Sequence, residues 1–241
     1  MSLPERAMVL AAGRGTRLMP LTQTCPKALV EVAGRTLLSH QLDRLRDAGV
    51  EEAIVNVHHF ADKVQAHLGE RDDAPKIQIS DERGCLLETG GALVRARPML
   101  GDKPFFVMNS DVLWTQLAAD PLRGLSQKFE AIEKPAAVLL LARKTHAMGL
   151  NTRGDFDLNA DGRLRRRTGD EEVPYYYAGT QILDPALLDG EAERPFSANL
   201  IWDKALAKGA LYGVVMDGFW LHVGDPEALD ATNAYLAQGC G

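Results

Sequence analysis

Apolar runs and amphipathic stretches alternate through the first 150 residues. "AMVLAA" (7–12) is a short apolar run ahead of glycines and predicts a buried strand. In "TLLSHQLDRLRDAG" the residues Leu37, Leu38, Gln41, Leu42, Leu45 and Ala48 fall on one face, which predicts a helix stopped by Gly49. "EAIVNVHH" reads as a second strand, "ADKVQAHLG" as a short helix with a glycine stop, and "KIQIS" as a third strand. "ETGGALVRARPML" predicts a glycine turn, a helix and a proline stop. "PFFVMNSD" and "AAVLLLA" (136–142) are further strands, the second apolar throughout.

Strands that alternate with helices imply a mostly parallel sheet covered on both faces. After residue 150 the pattern changes. "RGDFDLNADGRLRRR" carries two turn signals, one of them "DG", and predicts a hairpin. "YYYAGTQIL" is an aromatic and β-branched strand, and "SANLIWDKALAKG" and "PEALDATNAYLA" are helices. No repeat, linker or low-complexity stretch divides the chain. The expectation is one α/β domain over residues 1–241 with a more β-rich second half.

The 241 residues are 46% hydrophobic and 25% charged, which suits a globular chain able to bury a core without staples. The formal net charge of −6 argues against nucleic acid and anionic membrane as partners. No apolar run reaches 18 residues, and "MSLPERAMVLAAG" lacks the basic start and long apolar middle of a signal peptide, so the expected location is cytoplasmic. Cys25, Cys85 and Cys240 form no CxxC pair, which leaves structural zinc without support and suggests free thiols.

The chemistry starts after the first strand, where such folds place a nucleotide loop. The dinucleotide fingerprint fails, because Gly13 and Gly15 are followed by Leu18 rather than a third glycine, and no acidic residue ends the second strand. The pattern GxxxxGK[ST] is absent. What stands there instead is Gly13 and Gly15, able to bring backbone donors close to a ligand, with Arg14, Arg17 and Lys27 around them and Pro20 and Pro26 stiffening the path. A stiff loop with three cations suits a triphosphate.

"LAAGRGTRLMPLTQTCPKALVEVAG" resembles the signature of the sugar-1-phosphate nucleotidylyltransferases, L-A-A-G-x-G-x-R-x-x-P-L-T followed by P-K-x-L-x-x-V. The resemblance implies a Rossmann-like, mostly parallel mixed sheet with helices on both faces, the nucleotide-diphospho-sugar transferase fold. It implies a nucleotide-binding half over about 1–112 and a sugar-binding half over about 113–241. It also assigns Leu10, Ala11, Ala12, Gly13, Arg14, Gly15, Thr16 and Arg17 to the nucleotide, with Arg17 and Lys27 on its phosphates.

A carboxylate at the end of a central strand is well placed for Mg²⁺, which takes one or two carboxylates and the substrate's phosphates. "FFVMNSDV" offers Asp111, and a similar aspartate binds the metal in the family. The family's second metal segment, W-x-D-x-G-T, is here "WLHVGDPE": Trp220 and Gly224 match, while His222 stands at the aspartate and Asp225 at the threonine. Three readings stay open. His222 ligates the metal, Asp225 reaches it directly or through water, or Asp111 and substrate phosphates suffice. Asp225 also reads as a helix N-cap before Pro226.

"DERGCLLETGGALVRA" is similar to the family's second nucleotide segment, which points to Glu82, Gly90 and Gly91 with backbone amides on the base. "RGDFDL" and "YYYAGTQIL" fall where the family binds sugar, which points to Asn109, Gly154, Asp155 and Gly179. "EKP" (133–135) reads as a connector, and the run Arg165, Arg166, Arg167 reads equally as a sugar-phosphate contact or a solvated face.

The implied reaction joins a nucleoside triphosphate to a sugar 1-phosphate with release of pyrophosphate, catalysed by Arg17, Lys27 and Asp111 in a monomer or weak homodimer. "LLETGGALVRA" and "RGDF" are most similar to the branch that uridylylates N-acetylmuramate 1-phosphate in peptidoglycan recycling. Mannose-1-phosphate guanylyltransferase and glucose-1-phosphate thymidylyl- or uridylyltransferase are the alternatives, as is a nucleotide-sugar-binding regulator that has lost catalysis.

Overall fold

The computed structural model describes residues 3–239. In chain order its strands and helices are β1 (Arg6–Leu10), β2 (Glu31–Val32), β3 (Arg35–Thr36), α1 (Leu37–Ala48), β4 (Glu52–Val57), α2 (Ala61–Gly69), β5 (Lys76–Asp81), α3 (Glu88–Leu100), β6 (Phe105–Asn109) and β7 (Val112–Thr115). There follow α4 (Pro121–Ala131), β8 (Ala137–Arg143), β9 (Ala147–Met148), β10 (Phe156–Leu158), β11 (Leu164–Arg166), β12 (Tyr175–Leu183), α5 (Asn199–Ala207), β13 (Leu211–Val215), β14 (Phe219–His222) and α6 (Pro226–Gly239).

A nine-stranded mixed sheet organises the chain, its main path running β11-β10-β12-β6-β1-β4-β5. β6, β1, β4 and β5 are parallel, and β12 enters antiparallel between β6 and β8. β13 closes the other edge beside β8. The period-2 rule sorts the core. On β1, Ala7 and Val9 join the apolar cluster under α1, α2 and α4, while Met8 joins the opposite cluster under α3 and α5. The apolar run of β8 splits the same way, Val138, Leu140 and Ala142 to one face and Ala137, Leu139 and Leu141 to the other. Burial on both faces is why these strands carry no polar alternation.

A small sheet, β7-β14-β9, stands at the carboxyl ends of the parallel strands. A third cluster beneath it gathers Leu18 of the opening loop, Leu113, Leu221, Val223 and Leu229. It fastens the loop to the late segments of the chain.

Three local expectations change. Pro98 does not stop α3; it sits inside the last turn, and the buried Leu100 carries the helix on to Gly101. Gly90 and Gly91 lie in the first turn of α3 rather than in a turn before it. α4 and the strands β2, β3, β7, β9, β13 and β14 have no counterpart in the sequence reading. The hairpin is present as β10 and β11, and Asp225 caps α6, accepting from Ala228 N–H at 2.9 Å. Cys25 and Cys85 are free thiols, and Cys240 lies outside the described residues.

Candidate functional site

The loop after β1 folds back on itself. Gly15 has φ 63°, and a Cβ there would stand 2.8 Å from Lys27 Cβ and 2.9 Å from Thr22 Cγ2. Both the left-handed backbone and the close approach require glycine. Thr22 Oγ1 donates to Gly15 O at 2.8 Å, and Leu18, fully buried, pins the turn from below. These restraints bring Lys27, ten residues on from Arg17, back against the strand ends.

Asp111 lies between β6 and β7. The antiparallel register that pairs His222 with Val112 sets β14 alongside it, and Val223 N–H donates to Asp111 O at 2.9 Å. Lys27 Nζ donates to Asp111 Oδ2 at 2.5 Å, and His222 Nε2 is 3.7 Å from the same oxygen. Burial alone would push the Asp111 carboxyl up. Lys27 and His222 outweigh it and hold the group well below the usual carboxylate range. His222 Nδ1 lies 3.2 Å from Gly149 O, so that nitrogen carries the hydrogen and donates. Trp220 stacks on the imidazole at 5.7 Å and is itself fixed by Nε1–H to Ala178 O.

These groups open onto a cleft of about 490 Å³. Leu10, Ala11, Ala12, Gly13, Gly15, Thr16, Arg17, Lys27, Asn109 and Asp111 all line it, so most of the expected residues converge. Arg14 is exposed and off the wall. His222 is not itself a wall residue but adjoins the wall at Gly224, which lies between it and Arg17, and its side chain keeps 13% exposure.

Other expectations are corrected. Glu82 is 1% exposed and does not face the cleft. Its carboxylate accepts from Asn56 Nδ2 at 2.8 Å and from Leu87 N–H at 3.1 Å. The amides of Gly90 and Gly91 both donate to Phe196 O, at 2.8 and 3.2 Å, so those donors are already taken. A Cβ on Gly90 would meet the Phe196 ring at 2.4 Å and one on Gly91 the Arg194 carbonyl at 2.1 Å, which makes both glycines packing positions.

Gly154 and Asp155 also lie off the wall. Asp155 Oδ2 accepts from Tyr177 N–H at 2.9 Å and ties the hairpin to β12, and burial raises its carboxyl pKa. Gly179, φ 79°, sits in the register shift of β12 and packs on Asn109 and Val112. The arginine run is engaged elsewhere: Arg165 with Asp157 and Glu171, Arg166 with Asp203, and Arg167 with the Gly154 and Gly169 carbonyls.

The cleft also holds residues that the sequence reading missed. Asn56, Glu88, Thr89 and Ser197 line it. Asn56 had one signal, a lone amide inside the apolar run "AIVNV". Glu88 has φ 58°, an uncommon backbone for a residue with a side chain.

As a metal site the arrangement offers two donors, the Asp111 carboxylate, whose Oδ2 already accepts from Lys27, and His222 Nε2. Among the described residues no group of three or more His, Cys, Asp or Glu side chains could hold an ion. Two protein donors suit a cation that takes the rest of its shell from phosphates and water. The Gly149 carbonyl fixes the imidazole with Nε2 toward Asp111, as carbonyls do for ligating histidines.

A family model described as nucleotidyl transferase matches residues 6–148. The chain is 45% identical over 98% of its length, and 98% of the relative's, to the N-acetylmuramate alpha-1-phosphate uridylyltransferase of Caulobacter vibrioides. It is 33% identical to the enzyme of that name from Neisseria meningitidis, over 91% of this chain and 93% of the other. Among solved structures, HddC of Yersinia pseudotuberculosis in complex with GMP-PN superposes with a TM-score of 0.74, covering 96% of this chain and 99% of that one. At 22% identity this last likeness is one of fold.

Proposed function

The chain belongs to the nucleotidyl transferase family, and on that premise we propose that it transfers the uridylyl group of UTP to N-acetylmuramate 1-phosphate, with Mg²⁺ as cofactor. The reaction class, nucleotidyl transfer to a sugar 1-phosphate, is that of its relatives. The observation that carries the reading is the convergence of the opening loop, Arg17, Lys27 and Asp111 on one cleft. Uridine and N-acetylmuramate are supported by the two bacterial uridylyltransferases that the chain matches along nearly all of its length.

A phosphate monoester is largely dianionic near neutral pH, its second pKa being about 6, so the attacking oxygen needs no general base. That oxygen forms a bond to the α-phosphorus as the bond to the bridging oxygen breaks, and pyrophosphate leaves with the electron pair. The protein's work is alignment and charge neutralisation. The turn at Gly13–Arg17 and the cation of Lys27 border the triphosphate. Asp111 and His222 would hold the metal, which supplies Lewis-acid stabilisation at the phosphates. Asn109, with Gly179 packed beneath it, belongs to the sugar end. The product suits peptidoglycan recycling in the cytoplasm, by a monomer or weak homodimer.

Pyrophosphate release, measured with Mg²⁺ across UTP, dTTP, GTP, CTP and ATP against a panel of sugar 1-phosphates, tests the reading. Release with UTP and N-acetylmuramate 1-phosphate is expected. Release with another pair would keep the chemistry and replace the substrates. No release with any pair would leave a nucleotide-sugar-binding protein.

A further inference from the structure

The opening loop and the segment before α3 form two sides of the cleft, and one buried side-chain chain joins them. Ala11 N–H donates to Asn56 Oδ1 at 2.7 Å, and Asn56 Nδ2 donates to Glu82 Oε1 at 2.8 Å. Glu82 Oε2 accepts from Leu87 N–H at 3.1 Å. Asn56 is 3% exposed and Glu82 1%. The backbone of Glu82 is held as well, its N–H on Val57 O and its carbonyl 2.7 Å from His58 Nδ1.

Two side-chain pairs satisfy the order of donors and acceptors without an added proton. Both ends of the chain are backbone N–H donors. The Asn56 amide must turn its oxygen to Ala11, which leaves its NH₂ for Glu82. Position 82 must then accept twice, and an ionised carboxylate does so. Glutamine at 82 would accept once and set an N–H against an N–H. The second solution swaps the groups. Aspartate at 56 accepts from Ala11 and from a glutamine NH₂ at 82, whose oxygen accepts from Leu87.

We propose that Glu82 and Asn56 form a positioning relay that sets the opening loop and the Leu86–Thr89 wall at the spacing a nucleotide needs. Neither group touches the reacting phosphorus. The relay rests on the reading of this cleft as the nucleoside triphosphate site.

The test is a swap cycle of Glu82→Gln, Asn56→Asp and the double variant, with the KM for UTP, kcat and direct UTP binding by calorimetry. Glu82→Gln leaves one mismatched buried contact, whereas Asn56→Asp sets a second carboxyl beside Glu82 where one shared proton satisfies both, so the glutamine variant is the diagnostic single. It should raise the KM and the dissociation constant for UTP about tenfold, with a smaller fall in kcat. The double variant restores every hydrogen bond and should bind UTP more tightly than Glu82→Gln, although its carboxylate now stands on the cleft wall. Losses that multiply in the double variant would overturn the relay, as would a Glu82→Gln variant that binds UTP like the parent. If neither single folds, the double decides: a folded double with near-parental UTP binding supports the relay, and an unfolded one refutes it. A parent that neither binds nor turns over UTP would instead overturn the reading of the cleft.

Discussion

Lys27 is placed where a single change should register in two separable ways. Lys27→Met keeps much of the side-chain volume and removes the cation from Asp111. The two side chains are 12% and 21% exposed. Removing one partner of a fully buried pair costs about 3–5 kcal/mol. Partial exposure, and His222 remaining 3.7 Å away, reduce the loss to about 2–3 kcal/mol. For a chain of this size each kcal/mol moves the melting temperature by about 2–4 °C, so a fall of roughly 4–12 °C is expected. On the proposed role of Lys27 as a donor to the phosphates, its loss should lower turnover by about a hundredfold or more. Thermal melts and pyrophosphate release, the latter well below the variant's melting temperature, read the two effects apart. A variant that melts like the parent would refute the ion pair. One that melts early yet keeps more than about a tenth of the turnover would confine Lys27 to a structural role.

Other changes test the surroundings of the cleft. Gly91→Ala places a methyl against the Arg194 carbonyl and should cost about 1–3 kcal/mol, read as an earlier melt; an unchanged melt would show that the 194–196 loop retracts freely. Glu88→Gly should raise the melting temperature by about 2–4 °C by relieving a left-handed backbone, and a lower melt would mean that the side chain is held by a contact worth more than the strain. The raised folded pKa of Asp155 gives stability that is present at low pH and lost as pH rises through that pKa, because ionising the buried group is unfavourable. Asp155→Asn keeps the acceptor for Tyr177 N–H and removes the charge, so its advantage in melting temperature over the parent should be larger at pH 7 than at pH 4. The opposite trend would refute the burial argument.

Much of the site was legible because its chemistry is contiguous. The residues Leu10 to Leu29 carry the glycines, cations and prolines of the loop in one stretch, and Asp111 follows an apolar strand at the position the fold exposes. Glu82, Gly90 and Gly91 were misplaced for a physical reason. A polar residue or glycine beside a ligand segment looks the same in sequence whether it faces the ligand or packs behind the wall. For the acid only Asn56 and Leu87, and for the glycines only Phe196 and Arg194 about a hundred residues away, distinguish the cases. Asn56 was hidden because its partners are Ala11 and Glu82, neither near it in sequence. α4 did carry a signal, since Asp120 and Pro121 make an N-cap and N1 pair, but its apolar face is short and interrupted by Gly124.

The antiparallel pairing of β14 with β7 also sets a timetable for synthesis. Asp111 and its neighbours leave the ribosome about 100 residues before the strand that completes their surroundings. At about 5–20 residues per second that interval is roughly 5–20 s. During it the nascent chain can form β1, β4, β5 and β6, while Leu113 and Leu18 still lack the Leu221 and Val223 that will cover them. A nucleotide present in the cell therefore meets the loop of a growing chain before the chain can use it. Chaperone contact with nascent chains halted between β7 and β14 should centre on that uncovered apolar patch and disappear once residue 223 has emerged.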